Sequence, residues 1–141
     1  MAQDGLMHLL VHGDMVDEFW PVVEDFFALA IDRAALPEFT LANAYVDVKS
    51  DAAELWIFND ESRMWGIVVG KLVYVNGFPI YDLYITAGDD MRRWLDKIEP
   101  IEKRARELGA KRLDISGRRG WVRMYRDMGF KELYTTMGKE L

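Results

Sequence analysis

A chain of 141 residues with no cysteine and a formal net charge of −6 excludes a disulfide framework, a cysteine-based zinc centre and a cysteine nucleophile. Its acidic balance argues against nucleic-acid and anionic-membrane partners, which are gripped by basic surface, and the cations at Arg92-Arg93, Lys103–Arg106 and Arg118-Arg119 form local patches only. Half of the residues are hydrophobic and 13% are aromatic, enough for one domain over residues 1–141 with a sizeable core; with no apolar run near the roughly 20 residues that span a bilayer, and no basic secretion signal in the first residues, the expected location is cytoplasmic.

Leu6–His12 reads as a first strand with both faces partly covered, and Gly13 punctuates it. Asp14 then caps a helical stripe of Met15, Val16, Phe19, Trp20, Val23, Phe26, Phe27, Ala30 and Ile31. Pro21 lies inside that stripe and predicts a kink or a restart. Pro37 can open a second helix that ends near Ser50, with Leu41, Ala44, Tyr45 and Val48 on one side. Leu55–Phe58 follows as a strand. Trp65–Val75 and Phe78–Thr86 are two more, joined by Asn76-Gly77, the dipeptide that best tolerates the positive φ angles of a type I′ hairpin turn.

From Asp89 an apolar spacing of three and four residues (Met91, Trp94, Leu95, Ile98, Ile101, Ala105, Leu108) predicts an amphipathic helix to Gly109, divided near Glu99 by Pro100. Lys111–Ser116 alternates as a short strand. The turn Gly117-Arg118-Arg119-Gly120 leads into a helix marked by Trp121, Val122, Tyr125 and Met128 and stopped by Gly129. Phe130, Leu133, Tyr134, Thr135 and Thr136 suit a final strand.

Tyr125, followed four residues later by Gly129-Phe130 between a late helix and a terminal strand, resembles the Y-x-x-x-G-F ending of the GNAT family of N-acyltransferases, and the order of elements is similar to that family across nearly the whole chain. The resemblance implies an α/β (α+β) fold: a mixed, largely antiparallel central sheet with helices on both faces, in the order β-α-α-β-β-β-α-β-α-β. It implies acetyl-CoA as cofactor, a primary amine as acceptor, and Tyr125 as the general acid for the departing thiolate, a role a phenol can fill at neutral pH. A buried aromatic with a bonded hydroxyl is the other reading of Tyr125.

In the family the pyrophosphate sits in a Q/R-x-x-G-x-G/A cradle. Here Ile85, Thr86, Ala87 and Gly88, whose backbone would take the pantetheine arm, run directly into Asp89 and Asp90. One glycine replaces the spaced pair, and two carboxylates stand where a phosphate would need positive charge. Those carboxylates are expected as helix caps that close the cradle. Arg118 and Arg119 could hold a phosphate or form a solvated turn. The general-base candidate is Asp82, beside apolar neighbours that would raise its affinity for protons if it faces inward. The chain is also similar, mainly in its C-terminal half, to small GNAT-like proteins of tailed bacteriophages. That likeness implies a second reading: a catalytically degenerate domain that binds a protein partner or a second copy of itself, in the host cytoplasm or the virion.

Overall fold

The computed structural model describes residues 5–117 and 119–141. Along the chain come β1 (Met7–Val11), α1 (Val16–Ala34), α2 (Leu41–Lys49), β2 (Glu54–Asn59), β3 (Met64–Val75), β4 (Phe78–Gly88), α3 (Met91–Trp94), α4 (Glu99–Glu107), β5 (Arg112–Ile115) and α5 (Val122–Asp127). Short 3-10 turns at Gly13–Met15 and Arg119–Trp121 precede α1 and α5. The strands lie side by side in chain order. The first four are antiparallel, and β5 is parallel to β4. This is the mixed, largely antiparallel sheet expected.

Both faces of the sheet are covered, which is why its strands are apolar at consecutive positions. In β2, Leu55 and Ile57 face a core with Val23 and Phe27 of α1 and Val48 of α2. Trp56 and Phe58, one residue out of phase, face Trp94, Leu95, Ile101 and Ala105 on the other side. At the hairpin, Asn76 and Gly77 adopt φ of 50° and 80°, and Val75 pairs with Phe78. The turn is formed as its dipeptide predicts. No helix among the described residues is long and apolar enough to cross a membrane.

Three expectations need correction. No restart occurs at Pro21: α1 runs unbroken through it, because the proline removes one early hydrogen bond while the buried stripe of Val16, Val23 and Phe27 continues on both sides. The second helix opens at Leu41 rather than at Pro37, since Thr40 serves as its N-cap and its hydroxyl accepts from the Asn43 amide at 3.1 Å. The final strand is absent, for residues 130–141 form no regular structure and the sheet stops at β5. Tyr134 and Met137 are 78% and 90% exposed, so these strand-prone residues lack the packed face that turns β-preference into a strand. The segment from Asp89 does divide before Pro100, which falls in the first turn of α4, where its missing N–H is harmless.

Two arrangements tie the helices to the sheet. Trp94 of α3 is fully buried and lies over Gly66 of β3 and Gly88 of β4. A Cβ on Gly66 would stand 2.1 Å from the indole and 2.6 Å from the Ala87 carbonyl oxygen. Further along, the Trp56 indole N–H donates to the Tyr81 hydroxyl at 3.2 Å, and that hydroxyl donates to Glu54 at 2.6 Å. Arg104 of α4 closes the chain with two donors to Glu54 Oε2, at 3.0 and 2.7 Å. Burial, and then the hydrogen bond to Glu54, push the Tyr81 hydroxyl above its ordinary pKa, so it remains a donor.

Gly66→Ala should therefore destabilise the fold by about 1–3 kcal/mol, the usual cost of overpacking, and urea unfolding would measure it. Tyr81→Phe, which leaves the Trp56 N–H without its acceptor, should cost a similar 1–3 kcal/mol, roughly. No change in either midpoint would show that these contacts do not hold the helices to the sheet.

Candidate functional site

Strand β4 is 11 residues long and β5 only four. Their pairing covers Ile80 to Leu83. The Ser116 amide makes one more bond, to the Leu83 carbonyl at 3.1 Å, and the chain then turns away toward α5. From Tyr84 to Gly88, β4 keeps β3 on one side but has no strand on the other among the described residues. A strand so placed shows alternate backbone N–H and C=O groups to whatever occupies the gap.

A β-bulge fixes which side chains face that gap. Gly70 lies opposite Leu83 and Val69 opposite Ile85, so Tyr84 is the extra residue. Before the bulge Tyr81 and Leu83 face the α4 layer. After it Ile85 and Ala87 face α1, and Thr86 and Gly88 take the α4 side. Thr86 is 6% exposed, and its hydroxyl has no hydrogen-bond partner among the described residues.

Beside the open edge lies a cavity of about 490 Å³. Its walls are Asp82 and Tyr84 to Gly88 from β4, Lys71 from β3, the last turns of α1 with Leu36 and Phe39 beyond them, and Ser116, Gly117 and Trp121 from the segment after β5. Asp82, Ile85, Thr86, Ala87 and Gly88, assigned from sequence, are thus brought together on one wall. The wall from Leu29 to Phe39 was not anticipated, because Ala30 and Ile31 carry only the signal of a core stripe.

Asp82 is half-buried between Lys71 and Asp114, its cross-strand neighbours on β3 and β5. Burial first, and Asp114 second, raise its carboxyl pKa above 3.8, while Lys71 opposes them. Among the described residues its carboxylate forms no hydrogen bond and no ion pair. Asp114 is instead held by Arg112 through contacts of 2.6 and 3.1 Å. The Lys71 ammonium lies 4.4 Å above the Tyr84 ring, and the Tyr84 hydroxyl donates to Asp47 at 3.1 Å.

Tyr125 is 6% exposed and sits just outside the cavity wall, behind Gly117. A Cβ on Gly117 would come within 2.5 Å of the phenolic oxygen. Glycine there leaves the hydroxyl next to the cavity boundary. Arg119 is not part of the wall, and Arg118 lies outside the described residues.

The end of β4 differs from a phosphate cradle and from the expected caps. The helix that follows is a single turn, Met91–Trp94, and Asp90, at its N-cap with φ of 47°, makes no side-chain capping bond. Asp89 forms an ion pair with Arg63 instead. Arg63 and Arg93 each lie over the Trp65 ring, 4.6 and 4.5 Å from its centroid. The Trp65 indole N–H donates to Asp60 at 2.7 Å. The Ser62 hydroxyl, ahead of that indole, holds the Asp60 carboxyl well below the usual carboxylate range. Two of the cation patches read from sequence are likewise engaged, Arg92 with Asp127 and Arg104 with Glu54.

No family profile and no curated protein match the sequence. Solved structures do. An aminoglycoside acetyltransferase from an uncultured soil metagenomic sample superposes with a TM-score of 0.73 at 12% identity, over 100% of this chain and 99% of that one. A ribosomal-protein-alanine N-acetyltransferase from Brucella melitensis biovar Abortus 2308 gives 0.68 at 16% identity, over 96% and 99%. A predicted acetyltransferase with acetyl-CoA from Clostridium acetobutylicum gives 0.67 at 7% identity, over 96% of each chain. At these identities the likeness is one of fold, and the chain has the GNAT fold of the N-acetyltransferases.

Proposed function

We propose that this chain is an N-acyltransferase that moves an acetyl group from acetyl-CoA to a primary amine. The observation that carries the reading is the open edge of β4 from Tyr84 to Gly88, which borders one cavity with Asp82 and, across Gly117, Tyr125.

The residues fit the pantetheine end of the cofactor better than its phosphate end. The backbone groups of Ile85 to Gly88 that point away from β3 have no strand to bond among the described residues and can bond an extended amide-bearing arm as a further strand would, and the buried Thr86 hydroxyl needs a partner. At the other end the one-turn α3 supplies little helix dipole, and the neighbouring cations Arg63 and Arg93 are already paired with Asp89 and Asp60. When bound, the thioester supplies an activated carbonyl and a thiolate leaving group.

The protein's part is proton handling and orientation. Asp82 takes the proton that the acceptor nitrogen loses as its new C–N bond forms, and its raised pKa makes it a stronger base than an ordinary carboxylate. Tyr125 would supply its phenolic proton to the departing thiolate. Gly117 leaves space for that hydroxyl at the cavity wall.

A second reading, a degenerate domain that works by binding a protein, as a phage virion or accessory component, is favoured by the exposed apolar residues Leu133, Tyr134 and Met137, of which Tyr134 lies beside Arg112 and Asp114 of β5. Calorimetric titration separates the two. Acetyl-CoA should bind with Kd below about 100 μM, roughly −5.5 kcal/mol; no detectable heat would overturn the transferase reading and leave the protein-binding one. Tyr125→Phe should lower kcat by roughly 10²-fold or more with the thermal midpoint nearly unchanged, and undiminished turnover would remove Tyr125 from the mechanism.

The pH profile carries its own sign. Asp82 must be ionised to act, so kcat/KM should rise with pH through a midpoint above 3.8, and Asp82→Asn should remove that limb. Asp114→Asn should move the limb to lower pH and Lys71→Met to higher pH, because Asp114 raises and Lys71 lowers the Asp82 pKa. A folded-state pKa above the unfolded value also means that ionised Asp82 opposes folding once pH exceeds 3.8. Asp82→Asn at pH 7 should therefore not destabilise the protein, and lost turnover in that variant would be a loss of chemistry.

A further inference from the structure

The cavity beside β4 is chemically lopsided. Its α1 wall is built from Leu29, Ile31, Ala34, Leu36 and Phe39, and Trp121 closes the far side. The charged residues among its lining are Arg33, Lys71 and Asp82, two cations against one carboxylate. Asp82 alone can receive an ammonium group, and it has no hydrogen bond or ion pair of its own among the described residues. Any second ammonium of the same ligand finds no second carboxylate in the lining: it would meet Arg33, Lys71, hydrocarbon or neutral groups such as Thr86 and Ser116, none of which balances a desolvated positive charge.

Resting on the transferase reading above, we propose that the acceptor is a hydrophobic primary monoamine, its ammonium at Asp82 and its apolar body against the end of α1, and that polycationic amines are excluded. The apolar body gains the burial free energy of its hydrocarbon surface. A polyamine gains little of it and is repelled by the cations. Discrimination thus comes from an attractive wall and a repulsive pair of charges acting together.

The test is calorimetric titration of the full chain with 2-phenylethylamine, ethylamine, spermidine and kanamycin, with and without saturating CoA. 2-Phenylethylamine should bind at least tenfold more tightly than each of the other three. Two variants locate it. Asp82→Asn removes the charge partner, and Ala34→Trp, at an exposed position of the α1 wall, fills the cavity; each should weaken 2-phenylethylamine at least tenfold, while CoA affinity stays within twofold.

Spermidine or kanamycin binding as tightly as 2-phenylethylamine would overturn the proposal, as would phenylethylamine affinity unmoved by both variants. Ala34→Trp weakening CoA and 2-phenylethylamine equally would overturn it too, by giving the cavity to the cofactor. These failures leave the transferase reading intact wherever CoA still binds. Amine binding with no response to CoA or acetyl-CoA would instead overturn the transferase reading, and with it the amine's role as an acceptor.

Discussion

Strand β4 outlasts its parallel neighbour, and the proposed chemistry depends on that mismatch. β5 contributes four residues and then leaves, so the second half of β4 has, among the described residues, a neighbouring strand on one side only. A sheet with matched strands would have filled this space with its own hydrogen bonds. The bulge at Tyr84 adds a second constraint, since one extra residue exchanges the faces of everything after it. Ile85 and Ala87 thereby complete the core beneath α1, and the Thr86 hydroxyl is carried into a buried position without a hydrogen-bond partner among the described residues. Such a group costs stability unless a ligand or water meets it, which is how a binding strand differs from a structural one.

The open edge needs a rigid setting, and the surrounding contacts supply it. Trp94 locks α3 over Gly66 and Gly88 at the far end of β4. The line from Trp56 through Tyr81 and Glu54 to Arg104 ties α4 to the near end. Between these two anchors the strand is held on β3 along its whole length. Asp82 stands at the point where β3, β4 and β5 are all paired, so the backbone that carries it is held from both sides. Its charged neighbours, Lys71 and Asp114, come from the two flanking strands.

Much of the scaffold was legible in the sequence because it is set by short-range rules. Asn76-Gly77 specified the hairpin, and the residue alternation of Lys111–Ser116 specified a strand. The Tyr125 to Phe130 run placed the late helix and its glycine stop. Rules of that range fail where tertiary packing decides. Pro21 does not interrupt α1, since the core stripe extends past it. Thr135 and Thr136 do not make a strand, since nothing packs on them. The site was legible in part: Asp82 and Ile85 to Gly88 do line one cavity, but its α1 wall, the approach of Asp114 to Asp82 and the pairing of Asp89 with Arg63 arise from strand order and loop placement. No local spacing encodes those.

The central claim is that the backbone edge of β4 from Tyr84 to Gly88 is a binding surface. The most direct measurement is amide hydrogen exchange, resolved by residue, for the chain alone and with saturating acetyl-CoA. The amides of Ile85 to Gly88 not already bonded to β3 should exchange readily in the free protein and become protected with the cofactor, while Leu83 changes little. Protection confined to other segments, or none at all, would contradict it and leave the open edge without a ligand of this kind.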